Sequence, residues 1–135
     1  MREYKFRVWD TENKEMLKVQ ELDFEDTFYG GRLSIRTDQY NDYFDIEDMI
    51  LMQYTGLKDK KQKEIYEGDI IFIKGETKLL DIKGKVEYSN ILAQFIITNT
   101  GSIVNEAEPL GDYEEEDIEV IGNIYDNPEL LEEGE

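Results

Sequence analysis

The chain contains neither cysteine nor histidine among its 135 residues. Without cysteine there is no disulfide framework and no thiolate chemistry. Without histidine the usual neutral-pH general base and the commonest zinc ligand are missing. Apolar runs fall well short of the roughly 20 residues of a membrane span, and residues 1–5 lack the apolar stretch of a signal peptide. We therefore expect a cytoplasmic protein with no cofactor, no metal site and no membrane contact.

Positive charge is missing from the C-terminal part of the chain. All fifteen Lys and Arg lie between Arg2 and Lys85, whereas residues 86–135 contain fourteen acids. The first 85 residues carry a net charge of −4, and the remaining 50 carry −14 of the total of −18. An acidic half of this kind repels phosphate and anionic lipid. Nucleic acid is therefore not the expected partner of this half.

The residues that are present suit a small folded protein. Charged residues make up 36% of the chain, above the roughly 25% of an average soluble domain, and sixteen aromatic residues supply material for a core. A chain of this length predicts one domain or two very small ones. We divide it into an N-terminal region, residues 1–50, and a barrel-like core, residues 51–135, with one continuous domain as the alternative.

The central stretch, residues 51–73, organises this interpretation. The apolar run at residues 49–54 predicts a buried strand, and a helix with Asp45 as N-cap is the alternative. Residues 58–63 contain four lysines, which is typical of a solvated turn. Residues 70–73 are β-branched and aromatic, which predicts a well-buried strand.

The remaining patterns predict mainly short antiparallel strands. Residues 3–20 are interpreted as a hairpin in which Trp9 packs at the end of the hairpin, with ligand stacking as the alternative. Residues 20–50, an irregular acidic-aromatic segment, are expected to be the least regular. Further strands are predicted at residues 32–36, 84–88, 91–99, 103–104 and 118–125. Their close spacing favours a small barrel or a curled antiparallel sheet in the C-terminal region, and the strand order is similar to that of SH3-like barrels. Asn127-Pro128 predicts a short C-terminal helix.

Acids in the N-terminal region were considered as metal or catalytic groups. Asp38, Asp42, Asp45 and Asp48 do not follow the spacing of a calcium-binding loop. Pairs of carboxylates also arise by chance in any acidic protein. We interpret these acids as a solvated surface.

Two motifs carry a resemblance to a known family. The chain reads Gln-Tyr-Thr-Gly-Leu-Lys-Asp at residues 53–59 and Glu-Ile-Tyr-Glu-Gly-Asp-Ile at residues 64–70. Matching segments at residues 5–10 and 120–130 extend the likeness over nearly the whole chain, which resembles the YopX family of phages and prophages of Gram-positive bacteria. The family commonly has Asn-Gly where this chain has Lys61-Gln62, so the geometry of that turn is open.

The resemblance implies a phage accessory protein of the bacterial cytoplasm and brings no established activity. Family-signature residues are interpreted as structural: Gln53, Tyr54, Thr55, Gly56, Asp59, Tyr66, Gly68 and Asp69. We hypothesise a non-enzymatic module that binds a protein, possibly host-encoded, and forms homo-oligomers through exposed strand edges. The candidate binding surface is acidic: Asp112, Tyr113, Glu114, Glu115, Glu116 and Asp117. In one variant these carboxylates imitate DNA phosphates.

Two alternatives remain at this point. One is a nucleic-acid-binding barrel that uses N-terminal basic residues, with Trp9 or Tyr54 stacking on bases. Its phosphate contacts would be Lys5, Arg7, Lys58, Lys60, Lys61 and Lys63. The other is a metal-dependent enzyme built on carboxylates.

Overall fold

The computed structural model describes residues 2–26, 32–40, 43–98 and 107–132, and these residues form two compact units, Met1–Tyr54 and Thr55–Glu135. Within the described ranges the chain is mainly β, with short 3-10 turns and no α-helix. The strands are β1 Phe6–Asp10, β2 Glu15–Asp26, β3 Arg32–Thr37, β4 Tyr43–Asp45, β5 Met49–Lys58, β6 Glu64–Tyr66, β7 Asp69–Ile73, β8 Ile82–Ser89, β9 Gln94–Thr98, β10 Ala107–Pro109 and β11 Ile118–Asn123. The 3-10 turns are Ile46–Asp48, Lys78–Leu80, Leu110–Asp112, Glu115–Asp117 and Pro128–Leu131.

The first unit is an antiparallel sheet with the strand order β4-β3-β2-β1-β5. The predicted N-terminal hairpin is confirmed, since β1 pairs with β2 in a register that sets Arg7 opposite Lys18. Asp10 closes the hairpin by accepting hydrogen bonds from the backbone N–H groups of Glu12 (3.0 Å) and Asn13 (3.2 Å). Burial raises the pKa of Asp10, but the hydrogen bonds from Asn13 and Glu12 outweigh it and hold that pKa below its usual value.

The core of the first unit contains Val8, Leu17, Ile35 and Met49. Trp9 is also buried, with 8% of its surface exposed, as expected for an aromatic residue that packs rather than stacks on a ligand. The four core residues come from β1, β2, β3 and the start of β5. Trp9 is adjacent to Val8 in β1 and therefore lies on the opposite face of the sheet.

The described residues between 20 and 50 are more regular than predicted. They contain the second half of β2 as well as β3 and β4, because their alternating acidic and apolar side chains suit a strand with one face in water. The ambiguity before residue 49 is also resolved. Met49 begins a strand, while the Asp45 carboxylate accepts from Glu47 N (3.1 Å) and caps the single 3-10 turn Ile46–Asp48.

Strand β5 continues from the first unit into the second, where β6 follows it in the order of the sheet. The second unit also contains a separate five-stranded antiparallel sheet with the order β10-β9-β8-β7-β11. The core of the second unit consists of buried aliphatic side chains: Ile65, Ile71, Ile73, Ile82, Val86, Ile97, Leu110 and Ile118.

Of the small barrel and the curled antiparallel sheet predicted for residues 51–135, the described residues form an antiparallel sheet and no closed barrel. The five-stranded sheet is open, with β10 and β11 as its two end strands. The outer edge of β11 is met by a turn, not by a closing strand, because Lys60 N donates to Ile118 O at 2.9 Å. The likeness to SH3 domains stays a prediction.

Other boundaries differ from the sequence interpretation. Strand β9 begins at Gln94, so Ile91 and Leu92 lie in the preceding turn. The predicted strand at residues 103–104 lies outside the described residues. The short C-terminal helix is present as the 3-10 turn Pro128–Leu131, but the Asn127 side chain does not cap it. Asn127 Oδ1 accepts instead from Asn123 N at 3.2 Å, which closes the turn after β11.

Gly84 provides a test of the packing in the second sheet. A Cβ added there would lie 2.4 Å from the backbone oxygen of Thr98 and 2.7 Å from Ile97 Cγ2. We expect Gly84→Ala to lower the free energy of unfolding by roughly 2 kcal/mol, the usual cost of overpacking a core. Urea denaturation measures this change. Gly111→Ala is the matched control, since a Cβ at Gly111 meets nothing within 4 Å. Equal losses in both variants would contradict this account.

Candidate functional site

The acidic segment of residues 112–117 is held on two consecutive 3-10 turns. Tyr113 N donates to Leu110 O at 3.3 Å, and Asp117 N donates to Glu114 O at 3.0 Å. Lys74 N donates to Asp117 O at 3.2 Å and joins the segment to the chain after β7. The backbone of this segment therefore has defined contacts along its length.

Buried residues bound this segment on both sides. Leu110 precedes it with 0% exposure, and Ile118 follows it with 1% exposure. The acidic side chains between them are exposed: Asp112, Glu114, Glu115, Glu116 and Asp117. The structure thus presents five neighbouring carboxylates to water from a backbone fixed at both ends.

Tyr113 does not belong to the exposed surface in the way the sequence suggested. It is half-buried and packs against the core of the second unit. Its hydroxyl donates a hydrogen bond to the Glu108 carboxylate. Burial, and then the bond to Glu108, raise the pKa of Tyr113 well above its ordinary value. We therefore assign Tyr113 a role in anchoring the acidic segment.

The lysine-rich turn, residues 58–63, lies beside the acidic segment. Lys60 Nζ and Lys61 Nζ lie 3.3 and 3.0 Å from the carboxylate oxygens of Glu119. Gln62 Nε2 donates to the Glu115 carboxylate. Hydrogen bonds from Lys61 and Lys60 lower the pKa of Glu119. Basic and acidic surfaces thus adjoin in the second unit.

Asp59 holds this turn together from inside. One carboxylate oxygen accepts from Lys61 N and Lys63 N, each at 2.9 Å, and the other accepts from Val120 N at 2.9 Å. The side chain is buried, with 1% of Asp59 exposed. Burial acts to raise its pKa, but the hydrogen bonds from Val120, Lys63 and Lys61 together hold the pKa below its usual value.

The Lys61-Gln62 departure from the family pattern does not abolish the tight turn. Gln62 N donates to Asp59 O at 2.9 Å, and Asp59 N donates to Lys63 O at 2.8 Å. Gln62 has a φ of 66°, a left-handed conformation that favours glycine over residues with a Cβ. The turn therefore forms at some cost in backbone energy.

The other signature residues also make contacts that build the fold. Thr55 Oγ1 donates to Ile65 O at 2.8 Å, and Asp69 accepts from Tyr66 N at 2.8 Å. Gly68, with a φ of 87°, donates to Val86 O at 2.8 Å. Gly56 has a φ of 89° within β5.

Gln53 and Tyr54 belong to the part of β5 that pairs with β1. Gln53 lies opposite Phe6 in the antiparallel register. Tyr54 is buried, its N–H donates to Lys5 O at 2.8 Å, and Lys5 Nζ lies 5.6 Å from the centre of its ring.

These positions weaken the nucleic-acid hypothesis. Trp9 and Tyr54, the two rings expected to stack on bases, are 8% and 3% exposed. Lys60 and Lys61 already pair with Glu119. Of the four remaining basic candidates, Arg7 and Lys58 are half-buried, whereas Lys5 and Lys63 are exposed. Lys5 Nζ lies 3.4 Å from a carboxylate oxygen of Glu3.

The N-terminal acids do not gather into a metal site in the described part of the chain, which contains no group of three or more potential metal ligands. Asp45 is the buried cap of a 3-10 turn, whereas Asp38 and Asp48 are exposed. Asp42 lies outside the described residues. Among the helical segments that are described, none has the length and apolar character to cross a membrane.

Two antiparallel sheets and a row of exposed carboxylates define a small, acidic, mainly β protein. The family model for YopX protein matches residues 5–132, and the chain belongs to the YopX family. Two solved structures are similar in fold. Protein EF1440 from Enterococcus faecalis is 30% identical, with a TM-score of 0.67 over 98% of this chain and 100% of that one. Protein YopX from Bacillus subtilis is 24% identical, with a TM-score of 0.66 over 100% of both chains.

Among curated proteins no match is found. The identification is therefore one of family and fold, and the function is inferred from the residues of this chain.

Asp59 predicts a pH dependence of stability. Because its pKa is lowered in the folded state, its stabilising effect is complete above the unfolded value of about 4 and is lost as the pH falls through the lower folded value. In Asp59→Asn one of the two carboxylate oxygens becomes an NH₂ group, which cannot accept a hydrogen bond from a backbone N–H. We therefore expect this variant to be roughly 2 kcal/mol less stable than wild type at pH 7. Urea denaturation should show this difference shrinking below pH 4. A difference independent of pH would contradict the assignment.

A substitution at Gln62 is expected to raise the stability of the protein, whereas Asp59→Asn is expected to lower it. Gln62→Gly relieves the left-handed backbone, and we expect a gain of up to about 1 kcal/mol in the free energy of unfolding. Gln62→Ala is the control, since it also removes the amide that contacts Glu115 but keeps the Cβ. In thermal and urea denaturation the glycine variant should be more stable than the alanine variant. The reverse order would show that the left-handed backbone at residue 62 is not strained.

Proposed function

We propose that this protein is a non-catalytic accessory protein of a phage or prophage that binds a basic surface of another protein in the bacterial cytoplasm. The contact surface is the row of exposed carboxylates at Asp112, Glu114, Glu115, Glu116 and Asp117. One observation carries the proposal. The carboxylates project from a backbone fixed between two fully buried residues, Leu110 and Ile118.

The fixed backbone matters for affinity. A disordered acidic tail must lose conformational freedom when it binds, which weakens the complex. Carboxylates on ordered turns avoid part of that cost. Their shared charge also speeds association with a basic partner and makes binding sensitive to salt.

The adjoining contacts support a role in recognition. Glu115 accepts from Gln62, and Glu119, one residue beyond the row's buried end, is neutralised by Lys60 and Lys61. The neutralised end sets a boundary to the negative surface. A partner therefore meets a short patch of defined length and not a uniformly acidic protein.

The test separates this patch from overall charge. Wild-type protein and the triple variant Glu114→Gln/Glu115→Gln/Glu116→Gln are immobilised and exposed to lysate of a Gram-positive host. Proteins retained only by wild type are then purified and titrated directly. We expect the triple variant to bind at least tenfold more weakly, and we expect wild-type binding to weaken as NaCl rises.

The matched control is Glu12→Gln/Glu25→Gln/Asp48→Asn, which removes three exposed acids in the first unit. It should bind like wild type. An equal loss of affinity in both variants would show that binding depends only on net charge, and it would refute the proposed contact surface. Competition by double-stranded DNA would identify the partner as a nucleic-acid-binding protein and support imitation of phosphates by this row.

A further inference from the structure

The loop between β7 and β8, residues 74–81, exposes two adjacent leucines. Leu79 is 95% exposed and Leu80 is 59% exposed, and both belong to the 3-10 turn Lys78–Leu80. Exposed aliphatic side chains are common on protein surfaces and do not by themselves mark a binding site. What distinguishes this pair is its place beside the acidic row, the exposed carboxylates of residues 112–117.

The loop holds the leucines in a fixed position. Gly75 N donates to Asp81 Oδ1 at 2.8 Å across the base of the loop, and Leu80 N donates to Thr77 O at 3.0 Å. A Cβ added at Gly75 would lie 2.5 Å from the Cβ of Leu80. The two sides of the loop are therefore in close contact, and the leucines project from an ordered backbone.

The base of this loop is joined to the end of the acidic row. Lys74 N donates to Asp117 O at 3.2 Å, and the next residue, Gly75, is the one that contacts Leu80. With consecutive Cα atoms about 3.8 Å apart, this path places Leu80 within roughly 16 Å of Asp117. That distance is about three turns of an α-helix, so one short segment of a partner can reach both.

The loop itself carries no net charge. Its two lysines, Lys74 and Lys78, are balanced by Glu76 and Asp81. The acidic row beside it contains five acids and no base. The surface therefore combines a neutral apolar end with a strongly negative end, and its complement has apolar side chains next to Lys or Arg.

We propose that Leu79 and Leu80 extend the acidic row into a docking surface for a basic amphipathic segment of the partner protein. The segment packs its apolar side chains on the two leucines and pairs its Lys and Arg side chains with the row, as amphipathic segments do in recognition. This inference rests on the proposed function, because the row supplies the charge.

Charge complementarity selects this occupant. A second copy of the chain would bring its own net charge of −18 to the same negative surface. An anionic lipid surface is repelled by the row for the same reason. The apolar contact adds affinity that salt does not screen, whereas pairing with the carboxylates weakens as salt rises.

Two synthetic peptides test the inference by calorimetry. One has about 14 residues, four turns if helical, with lysines on one face and leucines on the other, and the second has serine in place of each leucine. We expect wild type to bind the Lys/Leu peptide at least tenfold more tightly than the Lys/Ser peptide. Leu79→Ser/Leu80→Ser should abolish this preference, leave Lys/Ser binding unchanged and keep the thermal midpoint, because both leucines are in water.

The matched control is Ile91→Ser/Leu92→Ser, which also removes two neighbouring exposed aliphatic side chains, 95% and 57% exposed. Leu80 precedes β8 and Ile91 follows it, so the eight residues of this strand separate the two pairs by roughly 25 Å. The control should keep the preference for the Lys/Leu peptide. An equal loss in the control, or equal affinity of wild type for both peptides, would overturn the inference and leave the acidic row in place.

Failure of the proposed function has a different signature. Lys/Ser binding that is equal in wild type and in Glu114→Gln/Glu115→Gln/Glu116→Gln would show that the row is not the contact surface, and both proposals would be overturned. Sedimentation velocity and phosphatidylcholine vesicles cover the other occupants. A dimer, or vesicle binding, that is lost in Leu79→Ser/Leu80→Ser would assign the leucines to a second copy or to lipid and overturn the inference.

Discussion

The Asp59 carboxylate makes the contact on which the second unit depends. It accepts three backbone N–H groups, two within its own turn and one from Val120 in β11. Sixty-one residues separate Asp59 from Val120 along the chain, so this side chain joins the family signature to the last strand. Because a buried carboxylate is stable only when it is hydrogen-bonded, the turn, β11 and the charge on Asp59 must be present together.

That contact also shapes the surface. The turn meets the outer edge of β11 and so protects an end strand that would otherwise be open to pairing. It brings Lys60 and Lys61 onto Glu119 and Gln62 onto Glu115, next to the fixed acidic row. The proposed binding surface is thus a consequence of how the signature folds, although the signature residues themselves are mostly buried or in backbone contacts.

Particular residues show how far the sequence could predict this structure. The pattern of residues 3–20 predicted the first hairpin. Of the two signature glycines, Gly68 lies in the turn before β7, whereas Gly56 lies within β5. Ile91 and Leu92 misled, because an apolar run continuous with β9 is typical of a buried strand and only the register with β8 shows that they form its turn. Tyr113 misled in the opposite direction, since its acidic neighbours suggested exposure while its ring packs against the core.

Composition by itself determined the chemical range of this protein: no thiolate, no imidazole, and negative charge concentrated in the last 50 residues. Local pattern determined that the fold is built from short antiparallel strands. Tertiary structure alone decided that the second sheet stays open, that Asp59 is the buried link to β11, and which carboxylates remain in water. Those features depend on contacts between residues far apart in sequence, and pairing, register and burial over such distances leave no periodic signal in the chain.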